Sequence, residues 1–353
     1  MTGSTWQEVL SHLAAGEDLE STAADWAMRE IITGQATEAQ LSAFAVLLRA
    51  KGETLTELRS IADRMYLEST PLDLDLRTFV DIVGTGGDGS HSVNISTMAA
   101  LVTAAAGVPV VKHGNRAASS KCGSADLLEA LGIELEGDAR SVRAAAEELD
   151  IAFCFARSFH PGMRHAGPAR AAIKIPTVFN LLGPLTNPAR PPAGLIGCAD
   201  ESKAPLMAGV FAERKATAVV ARGQDGLDEV STGAPTDIWL TTAQGEVVTA
   251  VIDSREFGID RSAPGALRGG DAEFNARVAR SLFSGERGPV RDAVLLNAAV
   301  AIAAAASHDS GADLSDDSVR HEAVSVGLQR AAGAVDSGSA ADLVDRWAAF
   351  TGA

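Results

Sequence analysis

The chain has 353 residues, enough for one large domain with a smaller companion or for two of moderate size. Its net charge of −16 argues against nucleic acid or an anionic membrane as partner, and its 46% hydrophobic content is that of a globular protein whose longest apolar runs fall short of a bilayer span. Cys122, Cys154 and Cys198 are widely spaced with no C-x-x-C pair, which suits reduced thiols in the cytosol rather than zinc, and the first residues show no basic-then-apolar leader.

The first seventy residues read as helices alone. Trp6, Val9, Leu10 and Leu13 repeat at i, i+3, i+4, i+7, the spacing of one helical face. A second helix covers Ala23 to Ile32 and stops at Gly34. Thr37-x-x-Gln40 and Thr54-x-x-Glu57 are capping boxes that open helices near Glu38–Ala50 and Leu55–Tyr66, and Pro71 ends the unit. So small a bundle has little core of its own, so its apolar face is expected to dock on the rest of the chain or on a second subunit.

From Thr78 the pattern changes to short β-branched runs alternating with helices, the mark of a parallel sheet built from βα units. Strands are predicted at Phe79–Val83, Val108–Val111, Ile151–Phe155, Ala193–Gly197, Thr217–Ala221, Asp237–Thr241 and Val247–Val251. Helices are predicted at Ile95–Ala106, Ser124–Leu131, Ala139–Leu149 and Ala204–Arg214, then at Asp271–Phe283, Val290–Ala306, Val319–Ala332 and Ala340–Phe350. Helical pieces between Met163 and Leu182 interrupt the strands, and this segment is expected to cross back to the N-terminal unit. The fold class is therefore α/β, with a small all-helical N-terminal domain and a mostly parallel central sheet flanked by helices.

Within this frame Asp81-Ile-Val-Gly-Thr-Gly-Gly-Asp-Gly89 stands out, because four glycines within six residues follow a strand and precede a small-residue helix after Asn94. Glycines allow close backbone approach to an anion, and the N–H groups of the following helix start point at it. The spacing satisfies G-x-G-x-x-G, yet the helix does not open at once and no acidic residue follows about 20 positions on, so an NAD-dependent oxidoreductase is disfavoured. No Gly-Lys-Ser/Thr follows, which excludes a P-loop. Alone, such a turn is simply a tight turn. Its company says more: residues 89–125 and 151–199 contain no Asp or Glu, while Lys112, Arg116, Lys121, Arg157, Arg164, Arg170, Lys174 and Arg190 fall within them. In an acidic chain, two such windows point to a pocket for anionic small molecules.

Six segments in order, Gly84-Thr-Gly-Gly-Asp88, Asn94-Ile-Ser-Thr97, Lys112-His-Gly-Asn-Arg-x-x-Ser-Ser120, Gly123-Ser-Ala-Asp126, Asn180-Leu-Leu-Gly-Pro-Leu-Thr-Asn187 and Gly226-Leu-Asp-Glu229, closely resemble the anthranilate phosphoribosyltransferase family of tryptophan biosynthesis, and the resemblance runs the length of the chain. It implies transfer of the phosphoribosyl group of 5-phosphoribosyl 1-diphosphate to the amine of anthranilate, with two Mg²⁺ ions bound with the diphosphate, in a cytoplasmic homodimer joined through its helical domain. That domain would be residues 1–72, completed by a crossing segment near 163–188, with an α/β domain at 76–162 and 189–353.

The resemblance also assigns residues. Gly84, Gly87, Asp88, Ser92, Asn94, Ile95, Ser96 and Thr97 would bind the phosphoribosyl donor, with Lys112, Gly114, Arg116, Ala117, Ala118, Ser119, Ser120 and Ser124 as contacts from a second loop. Asp228 and Glu229 would ligate metal with Ser96. Arg170 would bind the carboxylate of anthranilate, while Asn115 and His113 would position its amine. His113 is not expected to be an obligatory base, because that amine is weakly basic and carries its own ortho carboxylate. Cys122 reads as a packed thiol, and Asn187 and Pro188 as architectural. Gly162 stands where the family pattern suggests Ala or Ser and is expected to loosen substrate entry. A pyrimidine nucleoside phosphorylase of the same fold would want a Lys-x-Ser-x-Gly-Gly loop in place of the glycine turn, and a nucleic-acid-binding relative would want a basic face.

Overall fold

A computed structural model describes residues 4–117, 121–135 and 137–352. Four helices open the chain: α1 (Trp6–Ala14), α2 (Ser21–Ile32), α3 (Glu38–Lys51) and α4 (Leu55–Leu67). Capping boxes at Thr5–Glu8, Thr37–Gln40 and Thr54–Glu57 satisfy the first N–H groups of α1, α3 and α4.

Seven strands follow in one sheet: β1 (Val80–Gly84), β2 (Val110–Gly114), β3 (Ile151–Phe155), β4 (Ala193–Gly197), β5 (Thr217–Gly223), β6 (Thr236–Thr241) and β7 (Val247–Ile252). Their order is β3-β2-β1-β4-β5-β6-β7. The five strands β3 to β5 are parallel, and β6 and β7 extend the sheet in antiparallel fashion. Because β1 to β5 run together, their C-terminal ends and the loops that leave them share one rim, the edge where open α/β sheets bind ligands.

Side chains alternate between two faces. Val80, Ile82, Leu195, Val219 and Ala221 pack against α5 (Ile95–Ala105), α13 (Pro289–Ser310), α14 (Asp317–Asp336) and α15 (Ser339–Thr351). α13 corrects one expectation, since at 22 residues it is long and apolar enough to span a membrane, but 83% of its apolar window is buried inside the molecule as a core helix. Gly327 lets α14 approach it: a Cβ there would stand 2.4 Å from the Ala299 carbonyl oxygen.

Val83, Ile196 and Val220 face the other way, into a core that also holds Met28, Ile31, Phe44, Leu48 and Ile61 of the N-terminal helices. The apolar face of the bundle is thus docked on its own sheet. Between them lie α10 (Val178–Leu185) and α11 (Ala204–Glu213), whose Phe179, Leu182, Met207 and Val210 complete that core. The segment from Pro161 does return to the bundle: its 3₁₀ turn Pro161–Ala166 packs on α2, and α9 (Gly167–Ile173) packs on α3. Gly162 is what allows this, because a Cβ there would lie 2.2 Å from Ile32 Cγ2 and 2.7 Å from the Ile32 carbonyl oxygen. The missing side chain thus tightens the joint between the crossing segment and α2.

Candidate active site

The turn after β1 uses the left-handed region at Gly86 (φ 67°), Gly87 (83°) and Gly89 (71°), which glycine enters without steric cost. β1 and β4 place Gly84 directly beside Gly197. The missing side chains leave room for Asp228, on the connection from β5 to β6: a Cβ at Gly84 would lie 2.4 Å from its Oδ2, and one at Gly197 would lie 1.6 Å from its carbonyl oxygen. Gly86 N–H donates to Asp228 Oδ2 at 2.7 Å, and Ser96 N–H, in the first turn of α5, donates to Glu229 Oε1 at 3.1 Å. The predicted pair therefore joins the glycine turn to the helix start.

An unpredicted residue holds the pair in place. Buried Asn297 of α13 accepts from Val230 N–H at 2.9 Å and donates to the Val230 carbonyl at 2.8 Å, fixing the backbone next to Glu229. Nothing in an alanine-rich helix marked it. Burial raises the carboxyl of Asp228 to about 7, with the nearby Asp88 charge adding to the effect; burial raises that of Glu229 to about 8, reinforced by Asp228.

Clustered buried carboxylates suit a divalent cation, and Asp88 Oδ2 is buried with no hydrogen-bond partner. Among the described residues no set of three or more His, Cys, Asp or Glu side chains is arranged to hold a metal unaided. Such an incomplete shell fits Mg²⁺, a hard ion that retains water and takes substrate phosphate oxygens.

β2 runs on to Gly114, so Lys112 and His113 lie in the sheet and not in the loop assigned to them from sequence; pairing with β3 through Gly114↔Phe155 carries the strand to that length. Lys112 Nζ donates to the Ile82 carbonyl and lies 3.4 Å from Ser96 Oγ. Burial lowers its pKa against the pull of Asp81, Glu229 and Asp228. Asp81 is raised to about 6 by burial, opposed by Lys112, and accepts from His113 N–H (3.2 Å) and Asn187 Nδ2 (2.8 Å). Asn187 also donates to the Val111 carbonyl at 2.7 Å, and Tyr66 donates to that of Pro188 at 3.2 Å, so both act architecturally.

His113 Nδ1 donates to the Gly183 carbonyl at 2.7 Å, which leaves Nε2 as a lone-pair acceptor; that atom is buried without a partner. Burial, then His160, depress His113 to about 3. His160 sits 5.1 Å away between ring centroids, and its Nε2 donates to the Thr186 carbonyl at 2.9 Å.

Asp126 pins the backbone at Ala117 and Gly123, accepting from Ala117 N–H (2.9 Å) and Gly123 N–H (2.7 Å). Gly114 and Gly123 permit close packing, the first against Phe153 and Ser124. Asn115 is exposed there. Arg116 does not present its charge to the site: its guanidinium is paired with Glu129 and lies 3.6 Å from Asp126. Ala118, Ser119 and Ser120 lie outside the described residues. Ser92 bridges to Arg268, and Thr97 Oγ1 is buried without a hydrogen-bond partner at the α5 start led by Ile95. Arg170, on α9, is exposed, lies 5.7 Å over the Phe179 ring and forms no ion pair among the described residues. Cys122 is buried and its thiol is raised to about 11 by burial, unsuited to nucleophilic work.

A helical bundle seated on an α/β sheet, with a glycine turn, a helix start and a carboxylate pair converging at one rim, defines a transferase that grips an anionic donor. Two family models match the chain, the helical bundle domain of a glycosyl transferase family over residues 7–67 and its a/b domain over residues 76–341. Anthranilate phosphoribosyltransferase of Saccharopolyspora erythraea is 56% identical, the match covering 99% of this chain and 96% of the relative, and that of Rhodococcus jostii is 54% identical over 98% and 93%. The crystal structure of the Thermus thermophilus enzyme superposes with a TM-score of 0.88 at 40% identity, covering 98% of this chain and 99% of that one. The Saccharomyces cerevisiae enzyme in complex with PRPP and Mg gives 0.86 at 26% identity over 98% of each chain. The chain belongs to the anthranilate phosphoribosyltransferase family, and it is an enzyme of the glycosyl transferase class.

Proposed function

We propose that this chain transfers the 5-phosphoribosyl group of 5-phosphoribosyl 1-diphosphate to the amine of anthranilate, releasing diphosphate and forming N-(5-phosphoribosyl)anthranilate. The observation that carries this reading is the convergence of Gly86 N–H on Asp228 and of Ser96 N–H on Glu229. One surface thereby offers both amide donors for phosphate and carboxylates for a cation.

Displacing diphosphate builds positive charge on the sugar and negative charge on the leaving group. Gly84, Gly87, Asp88 and the α5 start, with Lys112 beneath, hold the donor so that the leaving charge faces N–H groups and an ammonium. Asp228, Glu229 and Ser96 would hold the Mg²⁺ ions, two on this reading, which when bound would neutralise charge on the diphosphate. Arg170 takes the carboxylate of anthranilate by charge and geometry. Asn115 and the unpartnered Nε2 of His113 orient the amine. With its pKa near 3, His113 accepts a hydrogen bond and removes no proton. The helical unit with the crossing segment at 163–188 forms one domain, 76–162 with 189–353 the other, in a cytoplasmic homodimer joined through the helices.

The test is the loss of anthranilate fluorescence on mixing protein, anthranilate, 5-phosphoribosyl 1-diphosphate and Mg²⁺, with EDTA as control. D228N with E229Q in one chain should abolish the Mg²⁺-dependent decay. Undiminished decay in that variant would place the metal elsewhere.

A further inference from the structure

We infer that Asn275 is a positioning residue for the donor site: it draws the Asn94 side chain off the start of α5 and keeps that helix terminus open to an anion. The inference rests on the donor reading above and adds a residue that touches neither substrate.

Asn94 occupies the N-cap of α5, where an asparagine ordinarily accepts from the N–H two or three residues on. Its side chain makes no such bond. Instead Asn94 Oδ1 accepts from Asn275 Nδ2 at 2.8 Å, and Asn94 Nδ2 donates to the Cys122 carbonyl at 3.0 Å. The direction of this relay is fixed at its far end. Gly270 N–H donates to Asn275 Oδ1 at 2.8 Å, and an N–H must meet an oxygen, so the nitrogen of Asn275 faces Asn94. Asn94 must then turn its oxygen to Asn275 and its nitrogen to Cys122.

Asn275 lies in the first turn of α12 (Ala272–Phe283) and is 2% exposed. The relay ties three separate segments: the donor loop, the end of the second loop and the 268–275 stretch. Backbone contacts support the same join, since Val93 N–H donates to the Leu267 carbonyl at 2.8 Å and Gly269 N–H to that of His91 at 2.8 Å. At this helix start, where the Asn94 side chain makes no cap bond and Glu229 holds the Ser96 N–H, Thr97 Oγ1 is buried, 1% exposed as a residue and without a hydrogen-bond partner. An anion seated there would meet that hydroxyl and the helix terminus together.

N275D and N275A, alone and in an Asn94→Ala background, test this. The aspartate retains an acceptor for Gly270 N–H and loses the donor to Asn94. Calorimetry with 5-phosphoribosyl 1-diphosphate and Mg²⁺ should show affinity weakened roughly tenfold in either variant, with KM for anthranilate within about twofold of the parent. In the Asn94→Ala background N275A should add nothing. Additive losses, or both variants melting below the assay temperature, would overturn the role and leave Asn275 a packing residue. Normal donor affinity in N275D and N275A beside a weakened Asn94→Ala would overturn the role alone. No donor binding by the parent chain would bring down the donor reading at α5, and this role with it.

Discussion

Gly197 faces Asp228 across the C-terminal rim so closely that a single added carbon would stand 1.6 Å from the Asp228 carbonyl oxygen. No real Cβ tolerates that distance, so any side chain at Gly197 must displace the connection that carries Asp228 and Glu229.

Gly197→Ala should therefore act as a metal-site variant although it alters no ligand. Overpacking of this kind costs about 1–3 kcal/mol, and the moved carboxylates should raise the Mg²⁺ concentration needed for half-maximal rate by more than the fold loses in stability. A Mg²⁺ titration of initial rates beside a urea unfolding curve measures both. An unchanged Mg²⁺ requirement would show that the backbone at Asp228 can yield without cost.

Arg170 has a ring beneath it and no carboxylate partner among the described residues, so its charge is available to a ligand. Arg170→Ala should raise KM for anthranilate by ten- to a hundredfold, the loss expected when a charged hydrogen bond worth roughly 1.5–3 kcal/mol is removed. KM for the diphosphate donor should hold. An unchanged anthranilate KM would remove Arg170 from the acceptor site.

The histidine pair sets a pH dependence of stability. Burial depresses His113 to about 3 and His160 to about 4, so as pH falls below 6.5 the unfolded chain takes up protons that the native chain refuses. Stability is present above pH 6.5 and is lost on descent toward pH 4. His160→Gln, which keeps a donor for the Thr186 carbonyl, should flatten that descent by about 3 kcal/mol, at about 1.4 kcal/mol per unit of pKa. Asp81, raised to about 6, acts with the opposite sign but is common to both chains. Parallel melting curves of parent and variant from pH 7 to pH 4 would sink the account. For the same reason kcat should show no imidazole step between pH 6 and 7.

Elements whose signal is local were legible in the sequence. The capping boxes at Thr37 and Thr54 and the seven β-branched runs lie within a few residues of their observed places. Asp228 and Glu229 were found through motif order, and the structure brings them to the glycine turn. What escaped is tertiary. Lys112 and His113 belong to a strand because a neighbour on the far side extends it, and Arg116 is spoken for by Glu129, thirteen residues on. Asn275 and Asn297 look like ordinary helix residues until their partners are seen, and the seat of Gly162 against Ile32 leaves no local mark in the sequence. The reversal of direction at β6 has no periodicity of its own, since alternation is the same in either sense.

Gly86 N–H is already bonded to Asp228 Oδ2. An internal carboxylate already satisfies the amide that a phosphate oxygen would otherwise claim, so the turn keeps its shape through a surrogate anion. On the proposed function, ligand arrival would replace one negative group by another on a prefolded seat. Little ordering entropy should oppose it at this turn, and on that reading a cation held by Asp228 and a phosphate on the Gly86 amide would each strengthen the other's hold.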